Sequence, residues 1–273
     1  MHITHYDELT WEEIRDLDKD RVVLLPIATI EDHGPHLPVN TDGIITQTLC
    51  EKVAEAMADK TVLLPIVTYG YSPHHEDFPG SLNISYDVML KYIRDIGLGL
   101  AAHDFKRLLL VNGHGSNAPI VELAHRRINY ESNGKILCAA TSYLDGKKGT
   151  EAIQKARKSY YPGGMGHACE LETSLMLVIR PDLVHIEKAK KDMRFPCYPG
   201  KGDLFMDWND GALSFMPFWS TISKTGTAGD PTVATKENGQ YWLDVAVEEL
   251  CDRVHIMRNL DYEKFSHRID HHK

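Results

Sequence analysis

The chain has 273 residues, 42% of them hydrophobic and 25% charged, and a net charge of −9. The length suits one large α/β domain or two small ones. The acidic balance argues against nucleic acid or an anionic membrane as the main partner, and no apolar run approaches the ~20 residues of a transmembrane helix.

Trp11 to Leu17 reads as a short surface helix. Residues 22–28 are continuously apolar, which suits a strand buried on both faces. The stretch Glu31-Asp-His-Gly-Pro-His-Leu-Pro-Val-Asn-Thr-Asp42 follows, and Ile44 to Met57 is expected to be an amphipathic helix. Thr61 to Thr68 is a second buried strand. Pro26 and Pro65 are awkward inside central strands, so each strand is expected to end or bend there. A polar loop, Tyr69 to Gly80, carries His74, His75, Glu76 and Asp77. Tyr86 to Asp104 reads as a helix with Ser85 as N-cap.

Lys106 to Val111 is a third strand, ending in Asn112-Gly-His-Gly-Ser-Asn117. A helix from about Pro119 to Tyr130 follows, capped by Asn117, with the proline early where a missing N–H costs little. Lys135 to Thr141 is a fourth strand, residues 142–165 are looser, and Glu170 to Val178 is a helix. Residues 186–232 show little periodicity and read as excursion loops that could cover a site. A last helix spans Thr235 to Met257, and His271-His272-Lys273 end a tail. The alternation implies a parallel sheet with right-handed crossovers and helices on both faces. No repeat or low-complexity linker divides the chain, so residues 1–273 are read as a single domain. The N-terminus lacks the basic start and apolar core of a signal peptide. Cys50, Cys138, Cys169, Cys197 and Cys251 include no CxxC pair, which fits reduced thiols in a cytoplasm.

Three strand–loop–helix junctions carry histidine or carboxylate: Glu31, Asp32, His33, His36 and Asp42; His74 to Asp77; and His114 between two glycines. In a parallel sheet these junctions share one edge, where α/β folds bind ligands. Carboxylates and imidazoles are the ligands of zinc, manganese and iron. Glu31 and His33, at i and i+2, project the same way from an extended segment. Gly113 and Gly115 let the backbone at His114 approach a metal or substrate closely. A fourth cluster, Gly166-His-Ala-Cys-Glu-Leu-Glu172, enters the late helix, where His167 and Glu170 share a face. Cys169 reads as a buried thiol. His103, His125, His185, His255, His267, His271 and His272 lack such a context.

These motifs together resemble the creatininase family. The resemblance rests on Glu31 to Asp42, His75-Glu-Asp-Phe-Pro-Gly-Ser81, Asn112 to Asn117 and His167-Ala-Cys-Glu-Leu-Glu-Thr-Ser174, in the family's order, with Gly229-Asp-Pro-Thr232 as a weaker match. It implies a cytoplasmic α/β three-layer sandwich with a mainly parallel sheet, assembled as a hexamer. It also implies two divalent metal ions, Zn²⁺ first, Mn²⁺ or Fe²⁺ otherwise. By motif match Glu31 and His114 would hold one ion and His33 the other, with Asp42 bridging. The family's further glutamate ligand corresponds here to Ser116, a poor ligand, so Glu170 is assigned to the second metal in its place. His167 matches a proposed acid or base, and Glu172 a carboxylate near the metal-bound water. The substitution at Ser116 puts creatinine itself in doubt.

The expectation is a hydrolase that attacks a carbonyl of a small molecule with a bridging metal hydroxide, cleaving an amide or cyclic-amide C–N bond. The alternative is C–C ring opening of a cyclic ketone such as a keto-inositol. Gly113-His-Gly-Ser-Asn-Ala118 also fits the GxGxxA dinucleotide fingerprint of an NAD-dependent dehydrogenase, but it follows the third strand and lacks an acidic ribose partner. No GxSxG elbow marks a serine hydrolase. A non-enzymatic ligand-binding role is the remaining reading.

Overall fold

The computed structural model describes residues 2–161, 163–192 and 216–266. Much of the 186–232 excursion, Cys197, and the tail with His267, His271 and His272 lie outside the described residues.

In chain order the elements are α1 Trp11–Asp16, β1 Val22–Ile27, α2 Thr41–Ala56, β2 Thr61–Leu63, α3 Tyr86–Ala102, β3 Arg107–Asn112, α4 Ala118–Glu131, β4 Leu137–Ser142, α5 Lys147–Ala156, β5 Met165–His167, α6 Glu170–Ile179, α7 Trp219–Ile222, β6 Ala228–Gly229, α8 Lys236–Asn259 and α9 Tyr262–Ser266. The main sheet has the order β2-β1-β3-β4, and every pair is parallel. β1 is buried at all six positions because both sheet faces are covered. Val22 and Leu24 pack with α2, α5, α6 and α8; Val23, Leu25 and Ile27 pack with α3 and α4. This three-layer α/β arrangement is why the strands read as unbroken apolar runs.

Three boundaries differ from expectation. α2 begins at Thr41, so Asp42 belongs to its first turn rather than to the loop before it. β2 stops at Leu63, two residues before Pro65. Pro26, by contrast, stays inside β1. Its carbonyl accepts from Val67 N at 2.9 Å, and its missing N–H faces that same side, where β2 has already left the ladder. The looser stretch 142–165 contains a helix, α5, whose Ala152 carbonyl accepts from the buried Trp242 indole at 3.1 Å. Thr235 caps α8 by accepting from Asn238 N. Ser85 sits at the N-cap of α3 without a side-chain cap bond. A small antiparallel pair, β5 with β6, sets Met165 and His167 beside Gly229 and Ala228.

β1 leads to β2 on one side, and β3 leads to β4 on the other. The crevice between the carboxyl ends of β1 and β3 is therefore the topological switch point, the usual ligand position in open parallel sheets.

Candidate metal centre

Glu31 and His33 follow β1, His114 follows β3, and Asp42 enters from the first turn of α2. All four are buried. Asp42 stands between the two histidines: its Oδ1 is 3.2 Å from His33 Nε2 and its Oδ2 is 3.2 Å from His114 Nδ1. Glu31 Oε1 is also 3.2 Å from His114 Nδ1. Glu31 and His33 are aimed by second bonds, and the backbone of His114 is held. Ser72 donates its hydroxyl to Glu31 Oε2, leaving Oε1 to the centre. His33 Nδ1 lies 3.3 Å from the Glu31 carbonyl, which turns its Nε2 to the centre. The Asn112 amide grips both His114 N and His114 O. Gly113 allows the close approach of this loop to α2, because a Cβ there would lie 1.8 Å from Thr46 Oγ1. Around Gly115 there is no atom within 4 Å of a Cβ, so packing does not require that glycine.

Burial opposes charge on all these groups, yet His33, His114 and Asp42 hold one another ionised. Burial lowers His33, but the Asp42 carboxylate outweighs it and keeps the imidazole well above its usual range. For His114 burial is likewise overcome, here by Glu31 and Asp42, and the imidazole is raised to about 10. Burial also acts on Asp42, and the His33 charge overrides it to hold the carboxyl far below the usual range. Glu31 is raised by burial. Glu31 Oε1, Asp42 Oδ2, His33 Nε2 and Glu172 Oε2 are nonetheless buried without a hydrogen-bond partner. Carboxylates facing imidazoles with unpaired atoms form a donor set that divalent cations fit.

Glu172 reaches this cluster from α6, its Oε1 3.7 Å from His33 Nε2. Among the described residues, three groups have ligand atoms within 4.8 Å of one another: His33, His167 and Glu172; Glu31, Asp42 and His114; and Glu31, His75 and His167. Glu170, expected at the second metal, is placed elsewhere. Its buried carboxylate accepts from Lys158 N at 2.9 Å, Ser159 N at 2.7 Å and the Asn238 amide at 3.2 Å. Two residues apart on a helix is about 200° of rotation, so Glu170 and Glu172 cannot both face the sheet edge. His36 is also outside the cluster, its Nε2 bonded to Thr173 Oγ1 at 2.9 Å. Asn117 does not cap α4; its side chain accepts from Tyr71 N and donates to Ala28 O, tying three loops together.

The family model described as creatinine amidohydrolase (Creatininase) matches residues 7–254. The chain belongs to the creatininase family. It is 30% identical to a creatinine amidohydrolase of Pseudomonas putida over 265 residues, covering 90% of this chain and 94% of that protein. It is 29% identical to a mycofactocin precursor peptide peptidase of Mycolicibacterium smegmatis, covering 85% and 84%. A 3-dehydro-scyllo-inosose hydrolase of Thermotoga maritima is 29% identical over 68% of this chain and 59% of its own length. A crystal structure of creatinine amidohydrolase superposes with a TM-score of 0.78 at 27% identity, over 95% of this chain and 99% of that one. Other solved creatininases include a manganese form and a Zn–Zn form.

In this creatininase-family hydrolase, Ser116 turns to His74, with Oγ 3.3 Å from Nε2. The centre opens into a cavity of about 780 Å³ whose walls include His74, His75, Tyr71, Met216, Phe218 and Trp219. Burial lowers both His74, to about 3, and His75. Trp219 lies over three imidazoles, its ring 4.4 Å from His75, 5.1 Å from His167 and 5.6 Å from His74. Residues 216–219 belong to the stretch expected to cover the site, but no sequence signal singled out this tryptophan. It is bound by its indole N–H to Gly226 O at 2.7 Å. Among the described residues no helix is long and apolar enough to cross a membrane.

Proposed function

We propose that this protein is a two-metal hydrolase of a carbonyl compound, cleaving an amide or cyclic-amide C–N bond of a small molecule. The observation that carries this reading is Asp42, with one carboxylate oxygen beside His33 and the other beside His114. Glu31, His114 and Asp42 would hold one cation; His33, Glu172 and Asp42 would hold the other. Such ions, when bound, acidify a water and polarise a carbonyl. Glu172 thus replaces Glu170 in the assignment and supplies the carboxylate that Ser116 cannot.

His167 has the disposition of a proton carrier. Its Nε2 donates to the Asp32 carbonyl at 2.6 Å, so Nδ1 is bare and lies 3.6 Å from Glu31 Oε1. Burial lowers its pKa well below the usual value, which keeps the ring neutral. It would take a proton from the attacking water and return it to the departing nitrogen. Trp219 and Phe218 form part of one wall of the cavity.

The likeness to an inosose hydrolase keeps C–C cleavage of a cyclic ketone as a second reading. A panel of amides, lactams and cyclic ketones separates the two. Turnover should vanish after exhaustive chelation and return with Zn²⁺ or Mn²⁺. Turnover that survives chelation would overturn the metal-dependent reading.

A further inference from the structure

Asp32 is buried, belongs to none of the three candidate ion groups, and yet holds two histidines that line the cavity and share one such group with Glu31. Its Oδ1 lies 2.5 Å from His75 Nδ1, and its backbone carbonyl takes the His167 Nε2–H at 2.6 Å. A carbonyl can only accept, so His167 Nδ1 is without hydrogen. An ionised carboxylate can only accept as well, so His75 Nε2 is without hydrogen. Both bare nitrogens point toward Glu31 Oε1, at 3.8 Å from His75 and 3.6 Å from His167.

The two differ in their neighbours. His167 stands beside His33 and Glu172 as well as Glu31, next to the proposed ions and their water. His75 is grouped with Glu31 and His167 but with neither His33, Asp42 nor Glu172, and stands on the cavity wall against Trp219, whose ring is tilted 30° to it at 4.4 Å. The arrangement is braced from behind. The turn at Gly226 packs on Asp32 so closely that a Cβ would lie 2.1 Å from Oδ2, and the same Gly226 carbonyl holds the Trp219 indole.

We propose that Asp32 is a positioning residue that fixes His75 as a hydrogen-bond acceptor, and that His75 Nε2 selects substrates carrying an N–H beside the scissile carbonyl. This rests on the reading above that the substrate is an amide, and narrows it to primary or secondary amides and N–H lactams. Tertiary amides and ketones offer no donor and leave the acceptor buried and unpaired, an omission that such sites penalise strongly.

The test is binding to the zinc-loaded protein. Calorimetry compares the lactam isoindolin-1-one with its N-methyl derivative, two rings of the same rigid shape. The native protein should prefer the N–H lactam by about 30-fold or more. His75→Phe, which keeps a ring against Trp219, should reduce the preference to within about threefold with zinc content unchanged. Asp32→Asn should weaken it with zinc retained. A native preference below about threefold, a preference that survives in His75→Phe through methyl bulk alone, or zinc loss in His75→Phe would each overturn the proposal. Should His75→Phe fail to fold, Asp32→Asn decides by the same ratio. Chelation-sensitive turnover of amides without this binding preference sinks only the selection by His75; the preference without such turnover sinks only the hydrolase reading.

Discussion

Glu170 and Glu172 stand two positions apart in the first turn of α6 and serve different parts of the molecule. Glu170 accepts from Ser159 N at 2.7 Å, whereas Glu172 Oε1 lies 3.7 Å from His33 Nε2. Their substitutions should separate cleanly. Glu170→Gln puts an amide N–H against backbone N–H groups and should cost about 3 kcal/mol of stability while metal content holds. Glu172→Gln should leave the melting temperature of the metal-free protein nearly unchanged and reduce bound metal toward one ion per chain. Elemental analysis and thermal melts read both; metal loss in Glu170→Gln alone would restore the assignment made from sequence.

Asp42 faces both histidines, so its removal should differ in kind from removal of any other ligand. Asp42→Ala is expected to lose both ions, and Glu31→Ala or His33→Ala mainly one. Metal stoichiometry after dialysis against a weak chelator is the measurement. Two ions retained in Asp42→Ala would show that the bridge is misassigned.

His36 is fully buried, and its pKa falls from 6.5 to about 4 because burial disfavours the charged ring, with His33 adding to the effect. The unfolded chain therefore binds a proton that the folded one refuses. The stabilising contribution is complete above pH 6.5 and is lost as pH falls toward 4, by about 3 kcal/mol at most. Urea unfolding across this window should show a shallower pH slope in His36→Gln than in the native protein. Equal slopes would remove His36 from the acid response.

Gly226 adopts φ +85°, and its Cβ would meet the Asp32 carboxylate. Gly226→Ala should cost about 2 kcal/mol or more and displace Asp32, lowering turnover beyond the stability loss. Gly115→Ala, with open space around its Cβ, is the matched control and should be close to neutral in thermal unfolding.

Much of the fold could be read from the chain because strands buried on both faces must be continuously apolar, as in Val22–Ile27 and residues 108–111 of β3. Their alternation with amphipathic helices specifies a parallel sheet, and hence one edge at which Glu31, His33 and His114 meet. Local chemistry also made Asp42 and His167 prominent. Whether Glu170 or Glu172 faces that edge depends on where α6 starts and how it is rotated, which its packing against α8 and the strand β5 determines. The pairing of Asp32 with His75 joins residues 43 positions apart, and Trp219 arrives over them from an aperiodic stretch. Sequence periodicity reports burial along one element; it carries no record of which side chains from separate loops share a hydrogen bond, and only the folded chain decides that.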